Sequence, residues 1–141
     1  MIMKYLIRLT ILFCVVCAVV LSGCERHSEV LEKMDLAESL MISQPDSSLV
    51  ILNALDGETL DEAASARFAL LKSMALDKNY IDTTTFDVLQ PAIDYYIKKG
   101  SPDEKLRTYY YQGRIYHNQG DDDMAMKSFL SATDIKDGIS D

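Results

Sequence analysis

The sequence predicts an all-α chain of paired helices behind an N-terminal targeting leader. Three observations carry that expectation. From Val30 onward, apolar residues recur at spacings of three and four, the period of a helix with one buried face. Proline, glycine and aspartate interrupt the pattern at helix-length intervals, and no period-two alternation runs long enough for a strand. Residues 1–24 hold almost no charge, whereas all 22 acidic residues follow Cys24.

The 141 residues are 48% apolar and 26% charged, an ordinary globular composition that excludes full disorder. Cutting before Cys24 removes 23 residues, among them Lys4 and Arg8. The remaining 118 residues carry 12 basic and 22 acidic side chains, a net charge of −10. That balance argues against general nucleic-acid binding, which needs Lys and Arg against phosphates. The mature length suffices for one domain burying roughly two-thirds of its unfolded surface.

The leader comes first. Lys4 and Arg8 precede a twelve-residue apolar run, Leu9–Val20, and then Leu21-Ser22-Gly23-Cys24. A basic start, a short apolar core and small residues are the parts of a secretory signal. A spanning helix wants about 20 apolar residues, and this run is shorter. Leu-Ser-Gly-Cys resembles a bacterial lipobox. The resemblance implies that residues 1–23 are a cleaved lipoprotein signal peptide and that Cys24 is the lipidation site, carrying palmitate-type acyl chains. Each buried acyl CH2 contributes about 0.8 kcal/mol, so two or three chains anchor a protein firmly. Cys14 and Cys17 have CxxC spacing but lie inside the apolar run, where a metal or redox partner has no access. The mature chain would hold no disulfide.

Residues 24–29 read as a lipidated tether and 30–141 as a helical domain of about three hairpins. The first helix takes Val30, Leu31, Met34, Ala37, Leu40 and Met41, and Gln44-Pro45-Asp46 breaks it. Asp46 or Ser47 can cap the second, with Leu49, Val50, Leu52 and Leu55 apolar, and Gly57 ends it. The third is expected over Leu60–Asp77, with Phe68, Leu71, Met74 and Ala75 on one side. Asn79–Thr85 reads as a loop. The fourth spans Phe86–Lys99, and its Pro91 means that it either starts near Gln90 or bends there. Ser101-Pro102-Asp103 starts the fifth, which runs to about Asn118. Gln119-Gly120 closes it, and the sixth runs from about Asp122 to Ile135.

The third hairpin carries a pattern. Gly113, Tyr116, Ala125, Phe129 and Ala132 are separated by 3, 9, 4 and 3 residues, with Tyr109 upstream and Gly120-Asp121 at the turn. This resembles the tetratricopeptide repeat, whose period is about 34 residues, and the clearest copy covers residues 106–139. Gln112 and Asp137 depart from it, replacing a leucine and a proline. In the second hairpin Leu71, Met74, Ala92 and Tyr96 fit only loosely, and in the first only the apolar spacing fits. With the lipobox, the chain resembles the N-terminal part of tetratricopeptide-repeat lipoproteins common in Bacteroidetes, a usually longer family. The resemblance implies a short right-handed solenoid in which the glycine admits a close helix approach and Tyr116 and Phe129 fill the hairpin interior.

Chemical sites are few. His27 falls in the tether. His117 has no serine, cysteine or carboxylate at helical spacing to form a nucleophile pair. Asp121-Asp122-Asp123 lacks the alternating ligands, glycine and closing glutamate of a calcium loop and reads as a helix cap. No catalytic residue, cofactor or metal site is expected. Tyr96, Tyr109 and Tyr116 fit core positions. On the other face of the fifth helix, Arg107, Tyr110, Arg114 and His117 stand at i, i+3, i+7 and i+10, one stripe. In the repeat family these positions face a peptide-binding groove, so an acidic peptide or a C-terminal carboxylate is one expectation. The other is a solvated face whose arginines pair with nearby acids.

The function expected is that of a non-catalytic, membrane-anchored scaffold for proteins or peptides, in the cell envelope. Glu25 after the cysteine leans toward the outer membrane, with no preference for its periplasmic or outer face. The alternative is a truncated N-terminal sensory or structural segment of a longer envelope regulator. Six residues after Ile135 are too few to cover the last hairpin. Met126, Phe129, Leu130 and Thr133 are therefore expected to include an exposed set that could mediate self-association.

Overall fold

The computed structural model describes residues 27–139, with side chains to Ile135. The leader, Cys14, Cys17, Cys24 and the start of the tether lie outside the described residues. The chain divides into two compact units, residues 1–32 and 33–141. In the first, the described residues 27–32 are helical and Val30 is buried. Residues 27–29, read as tether, are therefore already helix.

Among the described residues every regular element is a helix: α1 (residues 27–40), α2 (Pro45–Asn53), α3 (Glu62–Lys78), α4 (Gln90–Lys99), α5 (Pro102–Gln119) and α6 (Asp122–Ile139). The all-α expectation is met. The principal contacts join consecutive helices, with α5 on α6 the most extensive and α3 also touching α5. That order is compatible with a helical-repeat stack.

The boundaries follow local chemistry. α2 starts with Pro45 in its first turn behind Gln44, so neither Asp46 nor Ser47 caps it. Proline there costs nothing, because the first N–H groups of a helix have no partner. Asp61 caps α3 by accepting the Ala64 N–H at 2.8 Å, which moves the start from Leu60 to Glu62. Pro91 stands in the first turn of α4, so that helix starts at Gln90 and does not bend. Ser101 and Glu104 close a capping box on α5 around Pro102. α6 runs to Ile139, beyond the expected Ile135.

Two helices end alike. At the end of α5, Gly120 N–H bonds His117 O and Asp121 N–H bonds Tyr116 O, with Gly120 at φ +80. At the end of α3, Tyr80 N–H bonds Asp77 O and Ile81 N–H bonds Leu76 O, with Tyr80 at φ +58. Both are the left-handed closure that favours glycine, and α3 makes it with a tyrosine. Thr83 and Thr84, in the loop beyond, are fastened by the Asn118 and Gln119 side-chain amides, which donate to their carbonyls at 3.1 and 2.7 Å.

The core follows the pairing. Met34, Ala37, Met41 and Leu52 are buried where α1 meets α2, and the buried Ser48 hydroxyl donates to Ala37 O at 2.8 Å. α3 lies between neighbours and is buried around most of its girth, from Ala64 and Ala66 to Leu70, Leu71 and Ala75. The single apolar side expected for it is therefore too narrow. A central cluster unites Ala69 and Leu70 of α3, Ala92 and Tyr96 of α4, and Tyr111 and Ile115 of α5.

Candidate functional site

The repeat pattern of the third pair packs in part as expected. A Cβ on Gly113 would stand 2.5 Å from the Phe129 ring, so glycine is what lets α5 approach α6. Ala125 and Ala132 are buried on the facing side of α6. Tyr116, expected in the hairpin interior, instead sets its edge against Phe86, ring centroids 4.9 Å apart. Tyr109 and Tyr116 are half-buried, and the tyrosine fully buried beside Tyr96 is Tyr111. Burial raises the Tyr111 hydroxyl's pKa, and Asp77 and Tyr110 add to the shift. Sequence spacing missed Tyr111 because it points from α5 back to α3 and α4 rather than into its own hairpin.

The charged stripe on α5 does not act as one surface. Arg107 reaches Glu38 of α1 at 3.1 Å and also bonds Asp103 one turn earlier on its own helix. Arg114 Nε donates to Asp77 of α3 at 2.8 Å. Tyr110 leans on Tyr111 and Phe129, at centroid distances of 5.0 and 5.8 Å. His117 Nδ1 lies 3.3 Å from Asp122, and both are exposed. The two arginines thus face α1 and α3, while Tyr110 and His117 face α6.

The acids that hold these arginines define a network the sequence did not announce. Glu38 is its hub: one oxygen accepts from Arg107 and the other from Arg67 of α3 at 2.8 Å, while Arg67 also bonds Asp35 at 2.6 Å. Burial alone would raise the Glu38 carboxyl, but the hydrogen bonds and charges of Arg67 and Arg107 outweigh it and hold its pKa below the ordinary 4.5. Burial likewise works against the charged form of Arg114, and Asp77 outweighs it and raises that pKa. The expected alternative of arginines paired with nearby acids describes this geometry. An incoming acidic peptide would have to displace Glu38 and Asp77.

The apolar shoulder of the third pair is different. Met126, Phe129, Leu130 and Thr133 run at i, i+3, i+4 and i+7 on α6. Met126 is 60% and Leu130 54% exposed, as the sequence led us to expect. Beside them a cleft of about 410 Å3 opens between Leu106 and Tyr110 of α5 and Phe129, Ala132 and Thr133 of α6.

Asp121 caps α6, its carboxylate accepting the Met124 N–H at 3.0 Å. Among the described residues, no group of three or more His, Cys, Asp or Glu is placed to hold a metal ion, and no helix is long and apolar enough to cross a membrane. No family model, curated protein or solved structure matches this chain.

Proposed function

We propose that this chain is a non-catalytic protein-binding scaffold of the bacterial cell envelope, held to the outer membrane by lipid on Cys24. The observation that carries the docking role is the apolar row Met126, Phe129, Leu130 and Thr133 beside Tyr110 at the α5–α6 cleft, while the anchor rests on the Leu21-Ser22-Gly23-Cys24 motif of the sequence. Isolated exposed apolar residues are ordinary on a protein surface. A row at helical spacing beside an open apolar cleft is a surface suited to another helix. The reading includes a tetratricopeptide-like solenoid, and the Gly113–Phe129 approach, the capped turn at Gly120 and the order of helix contacts support that part of it. The docking surface in this proposal is the apolar shoulder, because the arginines of the charged stripe already hold intramolecular partners.

The test is site-specific photo-crosslinking of the full chain in cells. A photoreactive residue at Met126 or Leu130 should give a discrete adduct, and one at Lys127 or Asp134 of the same helix should not. No adduct from Met126 and Leu130, or the same adducts from all four positions, would overturn the docking surface. Cys24→Ala should leave unprocessed precursor or soluble material, and unchanged mass with unchanged detergent-phase partitioning would remove the anchor. The same shoulder could receive the next hairpin of a longer envelope regulator, the second reading. Crosslinks from Met126 and Leu130 would then stay within one polypeptide.

A further inference from the structure

A second cleft, of about 730 Å3, lies away from the α6 shoulder, against α3. Helix lengths leave room for it. α3 has 17 residues, whereas α2 has 9 and α4 has 10. At 1.5 Å per residue, α3 is about 25 Å long and its two neighbours about 14 and 15 Å, so neither covers it from end to end. Leu60, Phe68, Leu76, Val88 and Pro91 give the cleft apolar walls. A smaller cleft of about 390 Å3 adjoins it. The two share Ser65, Asp87 and Pro91, and the smaller one adds Gln90, Asp94 and Tyr95.

The charges on these walls leave a negative surplus. Asp56, Glu58 and Asp87 line the larger cleft against one cation, Lys72. That cation is already held, since both Asp56 oxygens accept hydrogen bonds from its ammonium, at 2.9 and 2.8 Å. In the smaller cleft Glu62 is paired with Lys99 at 3.0 Å. Asp87 and Asp94 differ. Asp87 accepts from the Thr85 hydroxyl at 2.9 Å and Asp94 from the Gln90 amide at 3.0 Å, both neutral donors. Among the described residues no cation stands within ion-pair distance of either carboxylate. The larger cleft also shows which cation its walls accept. Lys72 is only 7% exposed, and its ammonium lies 5.5 Å from the centre of the Phe68 ring. An alkyl stem ending in an ammonium on a carboxylate is thus seated there by the chain itself.

We propose that this cleft binds an alkylammonium ligand, its chain along Phe68, Leu76 and Val88 and its ammonium on Asp87, where the two clefts meet. The walls favour an alkyl chain over a peptide, whose amide groups would lose their water against such side chains. The uncompensated Asp87 favours a cation over a neutral ligand and repels a carboxylate. A metal ion is not the cation that fits, because among the described residues no group of three or more His, Cys, Asp or Glu is placed to hold one. The volume lies within the roughly 300–1,000 Å3 usual for small-ligand sites. The inference stands apart from the docking role of α6.

Calorimetric titration of the full chain with octylammonium, octanol and octanoate, all below their aggregation limits, tests it. Every protein in the series carries the same leader, so differences between proteins report the cleft. Octylammonium should bind wild type about threefold more tightly than octanol, the scale of an ion pair that water partly reaches. Octanoate should bind more weakly than octanol. Asp87→Asn should remove the preference for the ammonium, and Asp87→Glu, which keeps the charge, should retain it. Asp82→Asn takes the same charge from an exposed residue that lines neither cleft, so it should leave the preference intact. That control separates the cleft from the general attraction of an acidic protein for cations. Equal binding of ammonium and alcohol by wild type, an undiminished preference in Asp87→Asn, or the same loss in Asp82→Asn would each overturn the proposal.

Discussion

Tyr80 is 95% exposed and sits at φ +58, where an L-residue costs about 1–2 kcal/mol relative to ordinary backbone. Nothing its ring touches offsets that cost, since almost all of it faces solvent. Gly120 makes the same closure on α5 with open space where a Cβ would stand. Tyr80→Gly should therefore raise stability by about 0.5–1 kcal/mol, part of the gain being lost to glycine's greater freedom in the unfolded chain. Chemical denaturation would check this, and a lower midpoint would mean that the ring contributes to the fold. Ser73 offers a second test. Its hydroxyl is buried without a hydrogen-bond partner among the described residues. Ser73→Ala should stabilise by about 1 kcal/mol, through both the relieved polar group and the better helix former, and a melting temperature that falls would contradict it.

At the scale of the element, the helices and their stops were legible because caps and periods are local. Ser101-Pro102-Asp103 and Gly120 act within a turn of themselves, so sequence order alone exposes them, whereas the part of Glu104 in the capping box came from the structure. Pro91 gave the start of α4 once it was placed in a first turn rather than inside a helix. The Gly113–Phe129 approach was readable from a repeat pattern, and it gives an element-scale test. Gly113→Ala should cost about 1–2 kcal/mol despite the better helix propensity of alanine, because the Phe129 ring must move. In a Phe129→Leu background the same change should cost less. Additive effects in that double-mutant cycle would show that ring and glycine are not coupled.

Across the whole molecule, what the sequence hid is the ion-pair network. Arg107 and Glu38 are 69 residues apart, Arg114 and Asp77 are 37 apart, and a charge on an exposed helix face has no period that names its partner. The stripe on α5 was therefore visible as a row of side chains and not as a set of bonds. Its acids give the molecule a pH dependence with a definite sign. The folded Glu38 carboxyl has its pKa held below 4.5. Its contribution is present above that value and is lost as pH falls through the lower, folded one. Wild type should lose stability on acidification below pH 4.5 more steeply than Glu38→Gln, which lacks the titrating group. Parallel acid curves for the two proteins would remove Glu38 from the hub. The pairs are partly solvated, so high salt should narrow the difference.

The same carboxylate has a mechanical consequence. A stack in which each helix pair touches only its neighbours peels apart one pair at a time when drawn from its ends. Glu38 grips Arg67 and Arg107 at once, so the first pair is tied directly to the third as well as to the second. Under tension the first pair cannot leave without also breaking its bond to the third. Stretching should therefore detach the first pair at a higher force in the wild type than in Glu38→Gln, by the modest amount that a partly solvated ion pair supplies.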